Sequence, residues 1–197
     1  MPSTRTGRIA LACVASVLAL AAGAGSAAQV DSVTVSHRDG RFTVVFDGTV
    51  DAPAARVYGV LSDYARLGRL SPDIAAISVE GHPTPQTERV RSVLKSCILF
   101  FCRSIVQVLD VSRPNARTIV DRVVPGQGDF AAGSSIWRIT SQGPGTRLHY
   151  EATRVVAFWI PPLIGSWAIE RMLRKQVVSS VSALERLARR RRSGPPP

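Results

Sequence analysis

The sequence predicts an α+β fold: one broad antiparallel sheet with a single long helix lying across its apolar face. Three observations lead there. Apolar and polar residues alternate in short runs from Val33 to Val156, and turn-forming residues separate those runs. Helical spacing of apolar residues is found in a short stretch after Val50 and in a long run near the C-terminus. Strands and helices segregated in this way indicate an α+β rather than a parallel α/β arrangement. The chain's 197 residues suffice for one domain with a sizeable core, and 45% hydrophobic with 20% charged content is that of a globular protein. The sequence shows no internal repeat and no second domain.

The elements follow in order. Val33 and Val35 alternate with polar residues, His37-Arg38-Asp39-Gly40 makes a turn, and Phe42, Val44 and Phe46 alternate again in a strand that runs toward Val50. Asp51-Ala52-Pro53 starts a helix, with Asp51 expected near the N-cap and Pro53 tolerated in the first turn. Val57, Val60, Leu61 and Tyr64 recur at helical spacing; Leu67 and Leu70 form a second short helical piece that Ser71-Pro72 ends. Ile77 and Val79 belong to a strand expected to stop at Gly81-His82-Pro83. Val90–Cys97 and Cys102–Val111 form a hairpin, Ile119–Val124 a further strand, and Ser135–Thr140 with Arg147–Val156 a last hairpin around Gln142-Gly143-Pro144-Gly145. Pro161-Pro162 opens the long helix, whose apolar positions are Ile169, Leu173, Val177, Val181, Leu184 and Ala188.

The two ends read as separate from the domain at 29–190. Residues 1–28 have the form of a secretory signal peptide: Arg5 and Arg8, an apolar run from Ile9 to Ala22, then small residues with a cut expected after Ala28. The competing reading is an uncleaved anchor, which the short Ala-rich run disfavours. Only Ile9–Ala12 would precede Cys13 as an apolar core, too short for a lipoprotein signal. An exported, periplasmic protein is therefore expected. Without Arg5 and Arg8, 23 of the 25 basic residues face 14 acidic ones, a net charge of +9. Such an excess favours anionic surfaces, and export turns that preference from nucleic acid toward the membrane surface. Part of it sits in Arg186 and Arg189–Arg192, where it equally complements the helix macrodipole. Residues 191–197 read as a disordered basic and Pro-rich tail.

After cleavage two cysteines remain, Cys97 and Cys102, flanking Ile98-Leu99-Phe100-Phe101. Export permits a disulfide that closes the hairpin; two free thiols are the alternative. No third or fourth ligand stands at metal-site spacing, and no cofactor is expected.

If the cysteines are cross-strand partners, one hairpin face holds Arg91, Lys95 and Asp110 and looks to solvent. The other holds Val90, Leu94, Ile105, Leu109 and Val111, with Ser92 opposite Gln107. Ligand or core contacts are expected there, joined by Trp137, Ile139 and Tyr150 and by Ile169, Leu173 and Val177 of the helix. Gln107 and Tyr150 would orient a mostly apolar ligand; alternatively Ser92 and Gln107 bond to each other in a filled core. His149 and Glu151 share a strand face, but the opposite face (Leu148, Tyr150, Ala152) is the better core face, which turns that pair to solvent. Nucleophile elbows and phosphate loops are absent, and no catalytic residue is assigned. Two apolar stretches, Ile98–Phe101 and Phe158-Trp159-Ile160 with Leu163, Ile164 and Trp167, either meet a membrane interface beside basic residues or pack on each other.

From Gly48 to Tyr64 and on through Leu67, Leu70, Pro72 and Ile74, then at Trp137-Arg138-Ile139-Thr140, Gly145–Tyr150 and Phe158–Pro162, the sequence resembles the START-like (SRPBCC) superfamily. It is most similar to the branch of coenzyme Q-binding START proteins and polyketide cyclase/dehydrase-like proteins. The resemblance implies a helix-grip fold, two short helices after the first strands, and a lipid-like, quinone or polycyclic ligand in a cavity beneath the C-terminal helix. It does not imply a reaction. A binder or carrier is the leading expectation. The alternatives are a cyclase or dehydratase using Tyr150, Gln107 or Asp121, with Asp121 expected to face outward, and a ligand-free envelope interaction module.

Overall fold

The computed structural model describes residues 28–38, 40–98, 101–160 and 166–190. The expected signal peptide (apart from Ala28), the basic tail, and the start of the long helix at Pro161-Pro162 lie outside these residues, as does most of the apolar tip between the cysteines. The chain runs β1 (Gln29–Arg38), β2 (Arg41–Val50), α1 (Ala54–Leu61), α2 (Tyr64–Leu67), β3 (Ile74–Thr84), β4 (Thr87–Ile98), β5 (Phe101–Asn115), β6 (Thr118–Val123), β7 (Phe130–Gln142), β8 (Gly145–Val156) and α3 (Ser166–Arg189). All eight strands join one sheet in the order β1-β2-β8-β7-β6-β5-β4-β3, and every neighbouring pair is antiparallel. This is the expected α+β, helix-grip architecture.

Alternation decides which face is inward, because successive strand side chains point to opposite sides. Register places Phe46 opposite Tyr150, Tyr150 opposite Trp137 and Trp137 opposite Ile119, so these four share the face that α3 covers. The core is built there. Phe46, Val50, Ile139 and Leu148 meet Val57 and Val60 of α1 and Val181, Leu184 and Ala188 of α3. The helix is also tied to both margins of the sheet. Arg174 Nη1 donates to the Val33 carbonyl on β1 at 2.5 Å, and Gln176 Nε2 donates to Asp73 just before β3 at 2.9 Å. A sheet held at both edges by one helix must curve around it.

Three local expectations need correction. Asp51 does not cap α1: Pro53 is the N-cap residue, and no side chain caps that end. Instead the Asp51 N–H donates to Glu185 at 3.0 Å, and its carboxylate pairs with Arg189 at 2.5 Å. The α1 start is thus held by α3, a partner 134 residues away that local sequence does not reveal. The second helical piece is a single turn, Tyr64–Leu67, which Asp63 caps by accepting from the Ala65 and Arg66 N–H groups. Strand β3 continues through Gly81-His82-Pro83 to Thr84, with register shifts around Gly81. It is an edge strand, where a proline removes no ladder bond.

Candidate ligand cavity

The inner face divides along its length. At one end α1 and the second half of α3 fill the concavity. At the other, the first half of α3 packs on Phe42 of β2 through Ala168 and Ile169 and leaves beside that contact a cavity of about 340 Å³, within the range of small-molecule sites. Its walls are mostly apolar: Phe42 and Val44 of β2, Leu94 and Ile105 of the β4–β5 hairpin, Phe130 of β7, and Ile169, Met172 and Leu173 of α3. Phe158 and Ile160 complete the wall.

Of the residues expected to contact a ligand, Leu94, Ile105, Gln107, Tyr150, Ile169 and Leu173 line this cavity. Leu109, Trp137, Ile139 and Val177 do not. They share the correct face but lie toward the filled end, where Ile139 is 1% exposed and the other three pack around the core. Trp137 instead supports Tyr150, with ring centroids 4.3 Å apart and planes tilted by 32°.

The polar groups of the wall are few. Ser92 and Gln107 are register partners, yet no hydrogen bond joins their side chains. Gln107 lines the cavity and makes no side-chain bond to any described residue. Tyr150 is placed by β8. Burial raises its hydroxyl pKa above the ordinary phenol value; Arg154 opposes the rise, Asp121 adds to it and neighbouring Ser135 opposes it. The hydroxyl therefore stays protonated at neutral pH.

Arg154 is not among the site residues expected from sequence, and Asp121 was expected to face outward. Both correct the sequence reading. Asp121 lies opposite Val111 and Ser135 on the inner face, and its carboxylate accepts from Arg154 Nη2 at 2.8 Å and from the Ser135 hydroxyl. The two charged side chains, Arg154 and Asp121, are 14% and 13% exposed. Arg154 reaches Asp121 by crossing β7 at Gly133, its register partner. A Cβ at Gly133 would meet the Arg154 Cδ at 2.9 Å, and the φ of +154° there also favours glycine. The pair was legible in part, since Arg154 has the parity of Tyr150 and Ala152, and Asp121 that of Ile119.

At the rim, Arg103 bonds Asp129 at 2.7 Å and lies 4.4 Å from the centre of the Phe158 ring. Burial works to raise the Asp129 pKa, but the Val106 N–H and Arg103 outweigh it and hold the carboxyl below its ordinary value. His149 sits on the outer face, 3.0 Å from Asp47, and Glu151 is exposed on that same face. Among the described residues no group of three or more His, Cys, Asp or Glu side chains could hold a metal ion. Cys97 and Cys102 are cross-strand partners with Cα atoms 4.0 Å apart and sulfurs within bonding distance.

A curved antiparallel sheet closed around a C-terminal helix, with an apolar cavity under half of that helix, defines a START-like protein. The sequence profile of the family described as polyketide cyclase / dehydrase and lipid transport matches residues 29–190, and the chain belongs to that family. Among solved structures it is similar to the protein TTHA0849 from Thermus thermophilus, with 18% identity, a TM-score of 0.62, and coverage of 74% of this chain and 96% of that one. It is also similar to a START superfamily protein from Mycobacterium smegmatis, with 20% identity, a TM-score of 0.56, and coverage of 73% and 94%. A third is the Zhui aromatase/cyclase from a Streptomyces species, with 18% identity, a TM-score of 0.60, and coverage of 78% and 98%. At these identities the likeness is one of fold. Comparison with curated proteins found no match.

Proposed function

We propose that the protein binds or carries a hydrophobic small molecule, such as a lipid, quinone or polycyclic compound, in the cavity between the sheet and α3. The observation that carries this reading is a mostly apolar cavity whose lining includes the polar residues Tyr150 and Gln107. A packed core does not retain such space, because interiors are filled to crystal-like density. Native mass spectrometry of protein purified from its own envelope tests it. A stoichiometric apolar adduct is the expected result; protein that is empty and also takes up no added hydrophobe would refute binding.

A cyclase or dehydratase is the second reading, favoured by the inward position of Asp121. That carboxylate is engaged by Arg154 and Ser135, which argues for a structural duty over proton transfer. Recovery of the bound molecule unchanged after incubation supports the carrier; conversion supports the enzyme.

The reading extends to an exported protein with an oxidised Cys97–Cys102 pair, working at an anionic membrane. Export is supported by the signal-like residues 1–28, and oxidation by the cross-strand position of the cysteines. Docking is supported by Trp159 and Trp167, 70% and 62% exposed, which adjoin the cavity-lining Phe158, Ile160 and Ile169. Exposed Arg171 and Lys175 follow Trp167 at helical spacing. Co-flotation with anionic vesicles should drop sharply in the Trp159→Ala/Trp167→Ala variant; equal flotation of both proteins would remove docking from the proposal.

A further inference from the structure

We infer that the cavity selects ligands whose buried polar group is an uncharged oxygen, such as a ketone or quinone-type carbonyl, and disfavours carboxylates and phosphates. The inference deepens the binding reading and rests on it. Its basis is the charge balance of the wall. Among the described residues two cations line the cavity, Arg103 and Arg154. Each already has its own carboxylate, Asp129 at 2.7 Å and Asp121 at 2.8 Å. An anionic head group would leave water without gaining an unpaired cation. To take Arg154 it would have to displace Asp121, stranding that carboxylate on the inner face; either course is unfavourable. A cationic ligand faces the same balance with the signs reversed.

The neutral groups are different. Gln107 bonds to no described side chain. The Ser135 hydroxyl gives its proton to Asp121, so in its contact with Tyr150 the phenol is the donor, and a ligand carbonyl can take that proton in place of the Ser135 oxygen. The phenol ring is fixed by Trp137 on one side, so the hydroxyl position is set before any ligand arrives. Burial keeps the hydroxyl protonated. A carbonyl oxygen only accepts, matching Tyr150, while Gln107 on the other wall can donate or accept.

Three naphthalenes substituted at the same ring position separate the terms: ethylnaphthalene as the hydrocarbon, acetylnaphthalene as the ketone and naphthoate as the anion. Each is titrated calorimetrically into the full chain. The ketone is expected to bind about five- to tenfold tighter than the hydrocarbon, the worth of one net hydrogen bond. Naphthoate is expected to bind more weakly than either. In Tyr150→Phe the ketone should fall to the hydrocarbon's affinity while the hydrocarbon is unchanged. Asp121→Asn removes the carboxylate that neutralises Arg154, and naphthoate should then gain on the ketone. Hydrocarbon binding without ketone preference, ketone preference surviving Tyr150→Phe, or naphthoate binding as tightly as the ketone would each overturn this inference alone. Failure of all three compounds to bind would overturn the cavity reading with it.

Discussion

At the scale of single residues, the inner face carries two polar clusters within an apolar environment. Asp121, Arg154 and Ser135 form one. Because both charges are largely buried, removing one partner should be far worse than removing both. Asp121→Ala is expected to lower unfolding free energy by about 3 kcal/mol, and Asp121→Leu with Arg154→Met to recover most of it, as read by urea denaturation. The other cluster joins α2 to the sheet: Tyr64 donates to Glu88 at 2.7 Å, and Arg113 donates to Glu88 at 2.6 Å and to Tyr64 at 2.7 Å. Burial pushes the Tyr64 pKa well above the phenol value, with the Glu88 bond adding to the rise. For Glu88 burial acts upward, but the bonds from Tyr64 and Arg113 prevail and hold it below its ordinary 4.5. A carboxyl depressed on folding contributes stability that is fully present above 4.5 and is lost as the pH falls through its lower folded value. Glu88→Gln should therefore be less stable than the natural protein at pH about 7, with the gap narrowing toward pH about 3. Parallel pH profiles of the two proteins would refute this.

At the scale of elements, α3 does two different jobs along its length. Its second half is core: Val181, Leu184 and Ala188 are 3%, 1% and 2% exposed, and buried Glu185 holds the Asp51 N–H. Its first half, at Ile169, Met172 and Leu173, is the roof of the cavity. Truncation should register the difference, because a large-to-small change adds a void only where the space was filled. Leu184→Ala is expected to destabilise by about 3 kcal/mol and Met172→Ala by about 1 kcal/mol, measured by thermal or urea unfolding. Met172→Ala should instead alter ligand affinity. Arg189 belongs to this element functionally, since its Nε donates to the Asp51 carbonyl at 3.0 Å. A truncation after Leu187 would thus damage the fold by removing Ala188 and Arg189; a test of the basic tail alone has to cut after Arg190.

For the molecule as a whole, the β4–β5 hairpin projects beside the cavity, and the proposed disulfide at Cys97–Cys102 closes only a short loop. Chain-entropy reasoning gives such a crosslink about 2 kcal/mol, so Cys97→Ser/Cys102→Ser should fold with reduced stability and an intact cavity. Unchanged stability under non-reducing conditions would count against the bond. Among the described residues no helix is long and apolar enough to cross a membrane. The proposed membrane contact is accordingly a peripheral one, through Trp159 and Trp167 on the rim.

The architecture and the inner face are readable from residue order alone. Strand order along the chain, the register of Cys97 with Cys102 and Ser92 with Gln107, and the buried stripe of α3 all follow from alternation and helical spacing, which are local properties. Residue order did not determine how far along that face the space is filled. Leu109, Trp137, Ile139 and Val177 have the right parity and the wrong end, because α1 and the second half of α3 reach them first. Nor did it disclose the pairing of Asp121 with Arg154, or of Asp51 with Glu185 and Arg189. A charged residue in an alternating strand reads as outward until a partner is known, and these partners come from other strands or from the far end of the chain. Periodicity fixes direction; only the folded packing of helix on sheet fixes depth, and with it the cavity and its charge balance.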